Sequence, residues 1–150
     1  MSVTVSADDI KRVKGLGFLQ QKGTDTFNAR VLTRNGKITV AEAKMVADAA
    51  EKYGNGEMAF TTRQTIEVQG IHYDNIPAFT AAIEAGGLLV GGTGPKVRPI
   101  VSCKGTTCQY GLIDTFSLSM KIHERFYVGY HDQTLPHKFK IAVGGCPNNC

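Results

Sequence analysis

Apolar and polar residues alternate along residues 27–33, with Phe27, Ala29 and Val31 on one side, the two-residue period of a half-buried strand. Asn35-Gly36 is a turn dipeptide. Thr39-Val-Ala-Glu42 has the form of a capping box, in which hydroxyl and carboxylate each satisfy an orphan amide. The helix it opens is expected to reach about Tyr53, with Val40, Ala43, Val46, Ala47 and Ala50 as its apolar face. Gly54 is expected to end it in a left-handed conformation. Strands are expected over residues 57–60 and 65–69, with Ile66 and Val68 facing inward. A second helix is expected from Asp74 or Asn75, with Pro77 in its first turn. Its apolar stripe is Ile76, Phe79 and Ile83, and Gly86-Gly87 closes it.

Strand, helix, strand, strand, helix is the pattern of an α+β sandwich with its helices on one face. Residues 1–15 are polar and charged, a loose arm or a short helix. Residues 86–99 contain five glycines and two prolines, the composition of a boundary or a ligand-facing loop. A short strand over 97–101, a helix over 114–127 and a strand over 139–143 complete the pattern. Leu118, Ile122 and Phe126 recur at intervals of four and are expected to form a buried stripe. The organisation expected is an arm over 1–16, an α+β unit over 17–90 and a smaller α/β segment over 91–150.

At 150 residues with 42% hydrophobic content and a net charge of +4, the composition is that of a globular domain. No apolar run approaches the ~20 residues of a membrane span, and the N-terminus lacks the pattern of a secretory signal. A cytoplasmic location is expected. The modest charge argues against a nucleic-acid face, though converging cations would suit a small anion.

Four cysteines change the picture most. Cys103 and Cys108 have four residues between them, Cys146 and Cys150 have three, and thirty-seven lie between the pairs. In a reducing compartment such pairs point to metal or redox chemistry rather than disulfides. Each pair follows a short expected strand, and Gly105, Gly144 and Gly145 allow the backbone to approach a bulky ligand. An iron–sulfur cluster, a zinc ion and unliganded thiols all remain open on spacing alone. Structural zinc usually takes tighter knuckles.

The Gly-Cys-Pro-Asn-Asn-Cys ending, the preceding Leu135-Pro-His-Lys-Phe-Lys-Ile-Ala-Val, the Phe60-Thr-Thr-Arg-Gln-Thr-Ile-Glu-Val-Gln-Gly-Ile71 segment and Phe27-Asn-Ala-Arg30 together resemble the sirohaem-dependent nitrite and sulfite reductase family. The resemblance spans roughly residues 17–150. It implies a ferredoxin-like half-domain followed by a sirohaem and [4Fe–4S] segment. It implies that Cys103, Cys108, Cys146 and Cys150 hold the cluster, with Cys150 also bridging to the sirohaem iron. It implies that Arg30, Arg98, Lys138 and Lys140 bind the substrate oxyanion and supply protons. Arg63 would meet a sirohaem carboxylate, with Thr62, Gln64 and Thr65 beside it. The activity implied is six-electron reduction of sulfite to sulfide or nitrite to ammonia, fed by an electron-donor protein or subunit.

Several positions depart from the family pattern. The first cysteine pair has four intervening residues where five are usual. His137 stands where Arg is common. Glu67 stands where Gln is common, so it is expected to point away from a polycarboxylate macrocycle or to be protonated. The sequence ends on Cys150, where relatives continue, so a fragment that holds its cofactors poorly is expected. Large relatives carry two copies of the unit, so a homodimer or a sister subunit is expected to supply the other half. His72, His123 and His131 are expected to be surface or helix residues. The rival readings are a non-catalytic iron–sulfur or zinc interaction module, and a sirohaem-binding carrier or assembly subunit without turnover.

Overall fold

A computed structural model describes residues 5–148 and residue 150. The chain divides into two compact units, one of Met1–Thr33 and Ile38–Gly94, the other of Arg34–Lys37 and Pro95–Cys150. The first four residues of the expected arm lie outside the described residues. From Ala7 to Gly15 the arm is a helix, α1, whose Ser6 side chain caps the Asp9 amide and whose Val13 is buried.

The first unit is a five-stranded antiparallel sheet with two further helices. Its strands are β1 (Phe18–Gln20), β2 (Thr26–Leu32), β3 (Met58–Phe60), β4 (Thr65–His72) and β5 (Leu89–Val90). The order is β1-β2-β4-β3, with β5 also pairing with β2. Helix α2 (Val40–Tyr53) follows β2, and α3 (Ile76–Ala85) follows β4. Phe27, Ala29 and Val31 from β2 and Ile66, Val68 and Ile71 from β4 enter the core against Val46, Ala49, Ala50, Ile76, Phe79 and Ile83. The unit has the strand-helix-strand-strand-helix order expected, with α1, β1 and β5 added.

Two details of α2 differ from expectation. Thr39 and Glu42 do form the capping box, but Val40 is 88% exposed. It precedes Val46 by six residues, about 120° around the helix from the inward stripe. Ala49 takes the inward place instead. Gly54 is extended, with φ −110°, not left-handed. Glycine is required there because a Cβ would stand 2.5 Å from the Gln69 carbonyl oxygen.

β1 and β5 share the same edge of β2, where sequence patterning showed neither strand. β1 pairs over residues 27–29 of β2 and β5 over 31–32. They meet at Gly17 and Gly91, so close that a Cβ on Gly17 would lie 2.6 Å from the Gly91 nitrogen. The residue of β2 facing that junction is Arg30, which donates its amide to the Gly17 carbonyl and accepts from the Gly91 amide, both at 3.0 Å.

The second unit is built on a parallel pair, β6 (Val101–Ser102) and β7 (Ala142–Val143), with Val97 bridged to Phe139 further back. Both strands are shorter than expected. Helix α4 (Thr115–Ile122) continues into a π-helical turn, His123–Val128. The expected stripe fails here, since Leu118 is 41% and Phe126 40% exposed. Thr115, Ser119 and Tyr127 are buried in their place. The π turn explains the last exchange, because its five-residue spacing carries the face from Ile122 to Tyr127 and past Phe126. The Asn35-Gly36 turn belongs to this unit, with φ +53° and +92°, and Asn35 reaches the Met120 sulfur at 3.6 Å.

Candidate functional site

The parallel ladder places the two cysteine loops side by side. Cys103 directly follows β6 and extends the pairing, its amide donating to the Val143 carbonyl at 3.0 Å. Gly144 and Gly145 directly follow β7 and lead to Cys146. The Gly145 amide donates to the Cys103 sulfur at 3.1 Å. Between Cys103 and Cys108 the chain makes a 3-10 turn, Gly105–Thr107. All four cysteines are free; the first three are half-buried and Cys150 is exposed.

Thr115 ties these loops together, and no sequence signal marked it. Its hydroxyl donates to the Cys103 carbonyl at 2.8 Å and accepts from the Thr106 amide at 3.2 Å. Its methyl group closes the gap between the loops: a Cβ on Gly105 would lie 2.7 Å from it, and one on Gly145 2.8 Å. Ser102 donates to the Thr115 carbonyl. Asp114 caps α4 at the Ser117 amide and also accepts from Thr106 Oγ1 at 2.7 Å. The hydroxyl of Ser117, then that of Thr106, holds the Asp114 carboxyl down at about 2. These hydroxyls and the exclusion of any Cβ give the loops a defined, glycine-lined crossing.

That crossing and its donor set suit an iron–sulfur cluster. Thiolates are the ligands such a cluster takes, and backbone N–H···S bonds are the outer contacts that tune it. Among the described residues no three His, Cys, Asp or Glu side chains converge closely enough to hold a single metal ion. Among the described residues the two loops are thus aligned without three such ligands meeting at one point.

The cations fall into two groups. In the second unit, Arg98 is half-buried, and its amide donates to the Phe139 carbonyl at 2.8 Å. It therefore lies on the segment beside the one that carries Lys138 and Lys140, both exposed. His137 is exposed as well. In the first unit, Arg30 is half-buried on β2. The register of β2 against β4 sets Glu67 opposite it, and Nε donates to Glu67 Oε2 at 3.2 Å. Glu67 thus turns onto Arg30, a partnership that depends on strand register and so leaves no mark in the sequence.

The β3–β4 hairpin carries the remaining candidates. Thr62 is exposed, Arg63 and Gln64 half-buried and Thr65 buried. Gln64 takes φ +58°, a conformation uncommon outside glycine. The loop is fixed by Thr61, which pairs with Thr65 Oγ1 at 2.7 Å and accepts from the Arg63 amide at 3.3 Å. Thr33 donates to the Gln64 carbonyl.

The histidines stand apart from this machinery. His72 is exposed and His131 pairs with Asp132. His123 sits in the π turn, stacked on Tyr127 at 5.1 Å, and burial lowers its pKa. Among the described residues no helix is long and apolar enough to cross a membrane.

Residues 19–86 match the family described as "Nitrite/Sulfite reductase ferredoxin-like half domain", and residues 93–150 match "Nitrite and sulphite reductase 4Fe-4S domain". The chain is 34% identical over 114 residues to the dissimilatory-type sulfite reductase subunit alpha of Allochromatium vinosum, covering 75% of this chain and 27% of that protein. It is 31% identical over 137 residues to the NAD(P)H nitrite reductase of Emericella nidulans, covering 90% and 12%. Its fold matches the NirA protein of Mycobacterium tuberculosis with a TM-score of 0.79 at 18% identity, over 95% of this chain and 30% of that one. The chain spans less than half the length of the curated relatives it matches.

Proposed function

Because the chain belongs to the nitrite and sulfite reductase family, we propose that it forms part of an enzyme reducing sulfite to sulfide or nitrite to ammonia. The observation that carries this reading is the parallel β6–β7 ladder, which sets both cysteine loops at the same end of adjacent strands. Cys103, Cys108, Cys146 and Cys150 would hold a [4Fe–4S] cluster, and Cys150 would also join it to a sirohaem. Bound there, the two cofactors would relay six electrons, one at a time, from an external donor to the substrate.

This chain's own residues bind and orient. Gly105 and Gly145 keep side chains out of the loop crossing, and the Gly145 amide is aimed at sulfur. Arg63, Thr62, Gln64 and Thr65 form a fixed hairpin suited to macrocycle carboxylates. Arg30, Arg98, Lys138 and Lys140 would meet substrate oxygens, and the lysines, each with three N–H donors, would supply protons there. Four free thiols suit a reducing compartment, in keeping with a cytoplasmic location. The electron donor would be a separate protein or subunit. A second copy or a sister subunit would complete the assembly, a point that light scattering decides.

The test is an anaerobic visible spectrum of the protein with iron, zinc and sirohaem analysis, followed by turnover with an artificial donor. Strong visible absorption, iron with sirohaem, and sulfide or ammonia as product support the reading. A colourless zinc protein favours the interaction module. Both cofactors bound without product favour a carrier or assembly subunit.

A further inference from the structure

Arg30 is held from both sides of β2. On one side its backbone bonds Gly17 and Gly91; on the other its side chain meets Glu67. The ion pair is not a loose surface contact, since the two side chains keep only 24% and 17% exposure. Asn28 Nδ2 lies 3.4 Å from the second carboxylate oxygen, Oε1, so both oxygens have a donor. The position of β3 opposite Glu67 is Ala59, and Gly17 and Gly91 lie on the other edge, so among the described residues the ladder positions flanking the pair carry no further charge. Arg30 is engaged only through Nε; among the described residues no hydrogen bond takes its Nη1 or Nη2. The guanidinium therefore meets Glu67 side-on and keeps its terminal fork, the edge that matches two oxygens of an oxyanion.

We propose that Glu67 is a positioning residue that makes the Arg30 locus select singly charged oxyanions over doubly charged ones. The proposal rests on the reading that Arg30 meets the substrate. The fork still donates two N–H groups, so recognition by shape is kept. The adjacent carboxylate cancels the guanidinium charge, so the locus adds little attraction for charge itself. A dianion is penalised twice as strongly by that carboxylate as a monoanion. At ~8 Å in partly wet protein, each added negative charge on the ligand loses on the order of fivefold in affinity. Nitrite carries one charge; sulfite carries two until it takes a proton. The locus would favour nitrite or hydrogensulfite over the sulfite dianion.

The experiment measures nitrite and sulfite dissociation constants on the cofactor-loaded protein from the visible spectrum. It compares the wild type, E67Q, E67D and R30A, above and below the pH at which sulfite is protonated. E67Q keeps an oxygen for Nε and loses the charge; E67D keeps the charge. E67Q is expected to improve sulfite relative to nitrite about fivefold at the higher pH only, and E67D to keep the wild-type ratio. An unchanged ratio in E67Q, with both anions bound and R30A weakened, overturns the role of Glu67 and leaves that of Arg30 standing. R30A binding both anions as tightly as the wild type overturns the reading beneath it, and the proposal with it. Should E67Q fail to fold, the wild type decides: its sulfite affinity must rise as pH falls through protonation of the dianion, and an affinity that does not rise overturns the proposal.

Discussion

The amide of Gly145 donates to the sulfur of Cys103, joining residues forty-two positions apart. The bond requires the two loops to cross at van der Waals distance, and glycine at 145 is what permits it. A Cβ there would stand 2.8 Å from Thr115 Cγ2, 3.0 Å from Gly105 Cα and 3.2 Å from Cys103 Sγ. G145A is expected to part the loops at a cost of about 1–3 kcal/mol and to lower cluster incorporation. Urea unfolding and iron-to-protein stoichiometry after reconstitution check both. Full iron content in a variant as stable as the wild type would contradict the crossing.

Thr115 separates the work of its hydroxyl from that of its methyl group. T115V keeps the shape and strands the Thr106 amide, leaving the Cys103 carbonyl with the Ser102 hydroxyl alone, at about 1–3 kcal/mol. T115S keeps the hydroxyl and opens a methyl-sized gap. Hydrogen exchange at the Thr106 amide is expected to accelerate strongly in T115V and little in T115S. Equal exchange in the two variants would show that packing alone holds the loop.

Gly54 offers a test between two reasons for a glycine. A left-handed cap would accept Asn with little loss. An extended glycine pressed against the Gln69 and Ala50 carbonyls, 2.5 and 3.0 Å from a notional Cβ, accepts no side chain. G54A and G54N are both expected to lose about 1–3 kcal/mol in denaturant unfolding. A G54N protein with unaltered stability would restore the left-handed reading.

Asp114 sets an acid limit on the second unit. Its pKa falls from 3.8 to about 2 in the fold, held by Ser117 and Thr106. The unfolded chain therefore binds more protons than the folded one across that interval. The stabilisation is complete above the ordinary value and fades as pH falls through 3.8 toward 2. Thermal midpoints are expected to drop over that window and to drop less in D114N, which keeps a cap acceptor without the charge. Parallel curves for the two proteins would exclude this carboxylate as the cause.

Local signals were legible in the sequence where one element settled them. The Thr39–Glu42 box, the alternation of Phe27, Ala29 and Val31, and the Ile76, Phe79 and Ile83 stripe needed only their own neighbours. The inward face of α4 did not follow the same logic. Thr115 is drawn inward because the cysteine loop needs its hydroxyl, a demand invisible from spacing, and Ser119 is buried with its hydroxyl turned back onto the Phe116 carbonyl of its own helix. β1 and β5 are three and two residues long, too short to show a period, and exist by sharing one edge of β2. The cysteine pairs were legible as a site because composition marks them. The pairing of Arg30 with Glu67 was not, because residues thirty-seven positions apart meet only through strand register.

The β6–β7 ladder has two fully paired positions, extended by the Val97–Phe139 bridge and the Cys103 amide bond to Val143, yet it closes a loop of about forty residues, for which the entropic cost alone is ~3 kcal/mol. So short a ladder is a weak clasp, and the same two chain segments carry all four thiols. Ligands that join both pairs would bridge the loop from its far side and act as a second fastening. Cofactor loading and the maturation of this unit are then one event seen from two sides. The unloaded protein would breathe at that clasp first, exposing Cys103 to alkylating reagents at a rate that reports how often the strands part.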